Sequence, residues 1–304
     1  MNTDIENLFK DKVLGHPAGL FVLFFTEMWE RFSFYGMRIL LVLFLTAPII
    51  SDNPGWEWPR EHALALIGTY ASLLYLTPII GGWIADKITG YRVAVVIGCL
   101  IMTLGHAAMA IETTATFYLG LALLIIGTGF FKPNITSIIS EMYHGKESKK
   151  DGAYTIFYMG VNAGAFFGMM LCGYLAENYG WSWGFGLAGI FMMLGMLQFW
   201  LAKDLFGNIG AKPLKKVETA LLANEAENIA DGHENNEVET KLNPFSLFDK
   251  VLIVLSSIGG LLYLFNDPFE KIQGTSLAPF SLGSLSGTNV VILCSLVLFL
   301  ILLV

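Results

Sequence analysis

Glu27, Glu30, Arg31 and Arg38 fall within one apolar stretch, Gly19 to Phe44, that is long enough to cross a membrane as a helix. An ionisable group near a bilayer centre costs at least ~2.5 kcal/mol, so such groups need partners and mark proton, ion or substrate pathways. Carboxylates set among bases can take up and release a proton as their pairing changes. At about 100° per residue, Glu27, Arg31, Tyr35 and Arg38 stay within about 80° of one another on a helix, with Glu30 flanking them. The stripe they form must face a protein interior or a water-filled cavity.

Lys132 is a second intramembrane charge, in Gly127-Thr-Gly-Phe-Phe-Lys132-Pro133-Asn134. Pro133 removes a backbone donor and kinks its helix, while Gly127 and Gly129 permit close approach of a neighbour. About ten residues of membrane helix follow Lys132, which argues against a lysine snorkelling from a helix end. It needs a carboxylate, and Glu27 or Glu30 is the candidate. In Phe157-Tyr158-Met-Gly-Val-Asn162-Ala-Gly164, Tyr158 and Asn162 are four apart and share a face, while Gly160, Gly164 and Gly168 repeat every fourth residue on another. One face therefore offers hydrogen-bonding groups and the other a close-packing seam.

The turn Gly81-Gly82-Trp-Ile-Ala-Asp86-Lys-Ile-Thr-Gly90-Tyr-Arg92 reads as a gating or structural element, with Asp86 and Arg92 able to clamp helix ends. His106 reads as a packed or hydrogen-bonded core histidine. Cys99, Cys172 and Cys294 lie in apolar runs without metal-ligand spacing and read as small hydrophobes. Asn134-Ile-Thr136 matches a glycosylation sequon but falls inside a helix. No nucleophile–base, zinc-protease or phosphate-loop pattern occurs, so an enzyme is the weakest reading, and neither a metal nor a cofactor is implied.

Six spanning helices position these residues, at about 18–46, 61–86, 91–112, 115–141, 151–178 and 181–203, joined by short loops. Two further apolar helices, Phe245–Phe265 and Asn289–Val304, flank a Gly/Ser/Pro loop from Asn266 to Gly287. The chain stops in mid-helix at Val304 and reads as truncated. The expected organisation is a tail over 1–17, a six-helix bundle over 18–203, an acidic linker over 204–243 and a two-helix hairpin over 244–304. The tail has no apolar core or cleavage site and is not a signal peptide.

Composition agrees: 55% of residues are hydrophobic and 14% charged, with mean hydropathy +0.60, against roughly a quarter charged in a soluble domain. The fold class is therefore an all-α polytopic membrane protein. The net charge of −7 belongs to the linker, whose stretch Glu218–Thr240 holds seven acids and no base; without them 18 acids face 18 bases. Lys10, Lys12, Lys87, Arg92, Lys146, Lys149, Lys150, Lys203, Lys212, Lys215 and Lys216 lie on one side, while the opposite loops hold only Arg60. The N-terminus and linker are therefore expected in the cytoplasm.

Glu27-x-x-Glu30-Arg31-Phe32-x-x-Tyr35-Gly36, Gly-Phe-Phe-Lys132-Pro133-Asn134 and Phe157-Tyr158-x-x-x-Asn162-x-Gly164 together resemble the signatures of the proton-coupled oligopeptide transporters. The Gly81–Arg92 turn resembles the loop motif of the wider major facilitator superfamily. The motifs span residues 18–203 in the right order, and the two later helices resemble a lateral hairpin of bacterial members. The resemblance implies a six-helix N-terminal bundle whose C-terminal partner half lies outside this chain. It further implies that Glu27, Glu30, Arg31 and Lys132 couple protons, and that Arg38 with Lys132 receives a peptide carboxylate. Tyr35, Tyr75, Tyr158 and Asn162 would contact substrate, and Gly81, Gly82, Asp86, Arg92 and Pro133 would shape or gate the path. Where the family often has a second tyrosine before Tyr35, this chain has Phe34; where animal members carry a histidine in the second helix, Gly68 falls.

Two carboxylates against Arg31, Arg38 and Lys132 leave one positive charge in excess, which suits a substrate carboxylate. The reading is a symporter of di- and tripeptides in a bacterial inner membrane, driven by the proton gradient, with no nucleic-acid partner. No spare intramembrane carboxylate is left for the peptide's amino end, which would need an acid from the partner half. The alternatives are a transporter of nitrate or another small anion in the same family, and a non-transporting membrane sensor or scaffold.

Overall fold

Leu43, Ile79, Ile80, Leu104, Trp183, Leu197 and Trp200 all stand exposed on the surface of this protein, a distribution that suits lipid rather than water. The structure, a computed structural model, describes residues 8–9, 12–212 and 246–302. A short antiparallel pair, β1 (Lys12–Val13) and β2 (His16–Pro17), leads into α1 (Ala18–Thr46). There follow α2 (Arg60–Ile84), α3 (Tyr91–Met109), α4 (Thr114–Met142), α5 (Glu147–Tyr179) and α6 (Trp181–Leu201). Among the described residues, six helices are long and apolar enough to cross a membrane: α2 with the π turn that extends it, α3 to α6, and the later α7 (Leu247–Gln273). At 29 residues α1 is also long enough, but its charges interrupt every sufficiently apolar window; the bundle closes around it and buries Glu27, Glu30 and Arg31.

Glycine seams set the helix crossings. On α5, a Cβ on Gly160, Gly164 or Gly168 would overlap the carbonyls of Phe24, Met28 or Phe32 on α1, so the fourfold spacing is a docking ridge for that helix. On α3 and α4 the pairs Gly98–Gly127 and Gly105–Gly120 meet at sevenfold spacing, as expected of antiparallel neighbours in contact along their length. On α2, Gly81 abuts the carbonyl of Gly129 on α4. Pro133 lacks the N–H that would have bonded that carbonyl one turn back. The Thr77 hydroxyl ties the same crossing by donating to the Ile125 carbonyl at 3.0 Å.

The two ends of the bundle close differently. At one end Phe44, Trp56, Phe117 and Trp181 form an aromatic cluster with ring centroids 4.7 to 5.8 Å apart, and the Trp181 indole donates to the Asn53 and Pro54 carbonyls. At the other, α2 runs into the π turn Ala85–Thr89, and Gly90 reverses the chain at φ 77°, a left-handed conformation that glycine adopts freely. A short 3₁₀ turn, Lys203–Phe206, follows α6 and buries Phe206 against Phe199.

The residues after the linker form a separate unit. There α7 begins with a capping box between Ser246 and Asp249, and α8 (Gly287–Leu302) follows a tight pair, β3 (Ser281–Leu282) and β4 (Leu285–Ser286). The sequence reading places a loop from Asn266 onward, but α7 continues to Gln273. The reason is Asn266, which is buried: its amide donates to Glu270 one turn ahead and to Thr288 on α8, and its carbonyl oxygen accepts from the Leu277 N–H at 2.6 Å. The polar residue that reads as a breaker instead knots the hairpin. Gly274, at φ 70°, ends the helix.

Candidate functional site: a shared guanidinium inside the bundle

Arg31 holds two carboxylates with one nitrogen. Its Nε–H donates to Glu27 Oε1 at 2.7 Å, an i, i+4 bond along α1. Glu30 Oε2 lies 2.6 Å from the same Nε but off the N–H direction, a charge contact without a hydrogen bond. All three side chains are buried, and Glu27 Oε2 has no hydrogen-bond partner among the described residues. With both acids ionised, this trio carries one negative charge in excess. Buried charge of that kind is held only if something nearby offsets it or a proton neutralises it.

Lys132 on α4 is half-buried and within electrostatic reach of Glu30, yet among the described residues it forms no ion pair within 4 Å. The sequence reading gives it Glu27 or Glu30 as a partner; Arg31 has taken both. The Lys132 ammonium instead stands over the Tyr75 ring, 5.3 Å from its centre. Tyr75 on α2 is 76% exposed, so this face of the bundle is open. Arg38 is also exposed and without an ion pair among the described residues, and Tyr35 is half-buried within electrostatic reach of Arg31. Phe34 packs under Arg31, with the guanidinium carbon 5.5 Å from its ring centre.

Tyr158 and Asn162 are exposed on α5, opposite the glycine seam. The Asn162 amide donates to the Tyr158 carbonyl of its own helix at 3.0 Å, so the two do not form an interhelical bond. Among the described residues no hydrogen bond or ring contact joins either side chain to Lys132 or Arg38.

Gly81 and Pro133 sit at the α2–α4 crossing, and a Cβ on Gly82 would meet the Pro133 ring at ordinary contact distance. Asp86 and Arg92 are not an ion pair: Arg92 Nη1 donates to the Lys203 carbonyl at 3.1 Å, and its backbone N–H to the Gly210 carbonyl at 3.0 Å. The clamp at this end therefore joins α3 to the end of α6. His106 is buried, its Nδ1 without a hydrogen-bond partner among the described residues, and Asn134 is buried too, its amide donating to the Phe130 carbonyl. Cys99 and Cys172 are buried and Cys294 exposed.

Sequence reasoning missed Tyr70. It lies wholly inside on α2, its hydroxyl has no hydrogen-bond partner among the described residues, and it is within electrostatic reach of Glu30, Arg31 and Arg38. A tyrosine in an apolar helix carries no signal of this; only the helix crossing brings it to the carboxylates. Also missed was His16, whose Nδ1 is 2.6 Å from the buried Tyr143 hydroxyl at the end of α4.

An all-helical membrane bundle with a buried charge trio, and with two basic residues that have no ion pair among the described residues, has the build of a membrane transporter. Residues 92–264 match the POT family, and the chain belongs to that family of the major facilitator superfamily. It is 41% identical over 188 residues to the peptide transporter YePEPT of Yersinia enterocolitica, covering 61% of this chain and 36% of that protein. It is 36% identical over 219 residues to a di-/tripeptide transporter of Lactococcus lactis, covering 71% and 44%. The crystal structure of a peptide transporter POT in complex with sulfate superimposes with a TM-score of 0.67 at 34% identity, over 87% of this chain and 54% of that one. The chain thus spans less than half the length of these curated relatives.

Proposed function

We propose that this chain supplies the N-terminal, carboxylate-binding part of a proton-driven symporter of di- and tripeptides. The observation that carries the reading is the sharing of Arg31 by two buried carboxylates while Lys132 and Arg38 have no ion-pair partner among the described residues. Two free cations on an open face are a receptor for a peptide carboxylate. Tyr35, Tyr75, Tyr158 and Asn162 would frame the peptide, and names of relatives such as the Lactococcus di-/tripeptide transporter support that substrate class.

Coupling follows from the charge balance of the trio. A proton on Glu27 or Glu30 removes the negative excess, weakens the grip on Arg31 and releases Lys132 from the field of Glu30. The changed pairing favours a different packing of the helices, and the halves rock to open the other side. The Gly81–Gly129 crossing, where α2 and α4 touch backbone to backbone, is a suitable pivot, with Gly82 and Pro133 at it, Asp86 in the turn that follows α2 and Arg92 at the start of α3. The distribution of Lys and Arg supports a cytoplasmic N-terminus in a bacterial inner membrane.

The test is uptake of a labelled dipeptide into liposomes containing the full-length transporter, under an inward proton gradient. Uptake should need the gradient, compete with tripeptides, and fail in Glu27→Gln and Lys132→Ala. The 1–304 chain alone should not transport, because the peptide's amino end lacks an acidic partner in it. No uptake by well-folded full-length protein, with nitrate accumulating in its place, would overturn the peptide reading.

A further inference from the structure

Away from the charged site, α3 and α6 enclose a groove of about 730 Å³ at the end of the bundle where Gly207–Lys212 crosses them. Arg92, Lys203 and Lys212 line it against a single acid, Asp204, leaving two positive charges in excess. Glu141, at the same end, is engaged by the Gly210 N–H. The Lys203 ammonium lies 5.6 Å from the centre of the Trp200 ring, and Arg92 is held by its bond to the Lys203 carbonyl. Below these bases the walls are apolar. Val93, Leu100 and Leu104 stand exposed at helical spacing along α3, and Met193, Leu197 and Trp200 along α6. Both helices are long and apolar enough to span a membrane, so the groove joins a basic rim at the helix ends to an apolar stripe running toward the bilayer centre.

We propose that this groove binds an anionic phospholipid, with the phosphodiester between Lys203, Lys212 and Arg92 and an acyl chain along the Val93–Leu104 stripe. The occupant follows from the chemistry of the two ends. A soluble anion would leave the apolar stripe bare, and a zwitterionic lipid would leave the two excess charges unmatched. Trp200 marks the boundary, where an indole with one apolar side and one polar edge is favoured at the headgroup level. A lipid seated here would bridge α3, α6 and the segment that leads into the linker.

Brominated lipids test this, because bromine on an acyl chain quenches a nearby indole. The full-length transporter is placed in phosphatidylcholine vesicles containing equal amounts of brominated phosphatidylglycerol or brominated phosphatidylcholine, and the Trp200 signal is taken as the difference from Trp200→Phe. Phosphatidylglycerol should quench that signal at several-fold lower mole fraction. The preference should fall about fivefold for each of Lys203→Gln and Lys212→Gln, the effect of one basic group at a membrane surface. Lys149→Gln, outside the groove, should leave it unchanged. Equal quenching by the two lipids, or a preference that survives the Lys203→Gln/Lys212→Gln double variant, would overturn the proposal.

Discussion

The ammonium of Lys132 stands 5.3 Å from the centre of the Tyr75 ring, and this cation–π contact stands where the sequence reading has an ion pair. It holds a membrane lysine on the open face without neutralising it. A contact of this kind is worth about 1 kcal/mol when partly exposed. Tyr75→Ala should therefore weaken dipeptide affinity about fivefold, and Tyr75→Phe, which keeps the ring, should largely preserve it. Equilibrium binding of a labelled dipeptide to both variants checks this; equal losses would assign the effect to the hydroxyl instead.

Removing Arg31 strands two carboxylates inside the bundle. Breaking a buried pair from one side typically costs about 3–5 kcal/mol, so Arg31→Met should lower the thermal unfolding midpoint in detergent markedly. Glu27→Gln and Glu30→Gln in the same chain should recover most of the loss, since the charges that needed Arg31 are gone. Thermal scans of the single and triple variants give the comparison.

The α1–α5 seam has no room for a side chain at Gly164, where a Cβ would overlap the Met28 carbonyl. Gly164→Ala should cost about 1–3 kcal/mol through backbone displacement. At Gly173, on the same helix, a Cβ meets nothing within 4 Å, and Gly173→Ala should leave the unfolding midpoint within a degree or so of the parent or raise it slightly.

His16 ties the β1–β2 turn to the end of α4. Partial burial, and then the nearby Lys149 ammonium, hold its imidazole below the ordinary value for histidine, while burial pushes the Tyr143 hydroxyl up. A histidine whose folded value is depressed binds fewer protons folded than unfolded, so its contribution is fully present above about pH 6.5 and is lost as the pH falls below that. Relative to the intrinsic exchange rate, which itself slows as the pH falls, the amides around Lys12–Gly15 should lose protection between pH 7 and pH 5. In His16→Gln this pH-dependent loss of protection should vanish.

The helix positions and the close-packing seam were legible because they are local. Apolar length sets where each span runs, and glycines four apart on α5 must lie on one face whatever the rest of the chain does. The Glu27–Arg31 bond is of the same kind, since residues four apart on a helix are neighbours. Asn266 shows the limit even within one element: whether a polar residue ends a helix depends on the partners it meets, here Glu270, Thr288 and Leu277.

By itself, then, the sequence determined that this is a membrane bundle with two acids and a base turned inward on its first helix, because the cost of placing charge in lipid forces them off the lipid face. Tertiary structure alone decided that Lys132 faces Tyr75, that Tyr70 comes within electrostatic reach of Glu30, and that Arg92 holds Lys203 rather than Asp86. Those relations join residues on different helices. They depend on where helices cross, and the crossings are set by backbone contacts such as Gly81 on Gly129 that residue spacing along one helix does not encode.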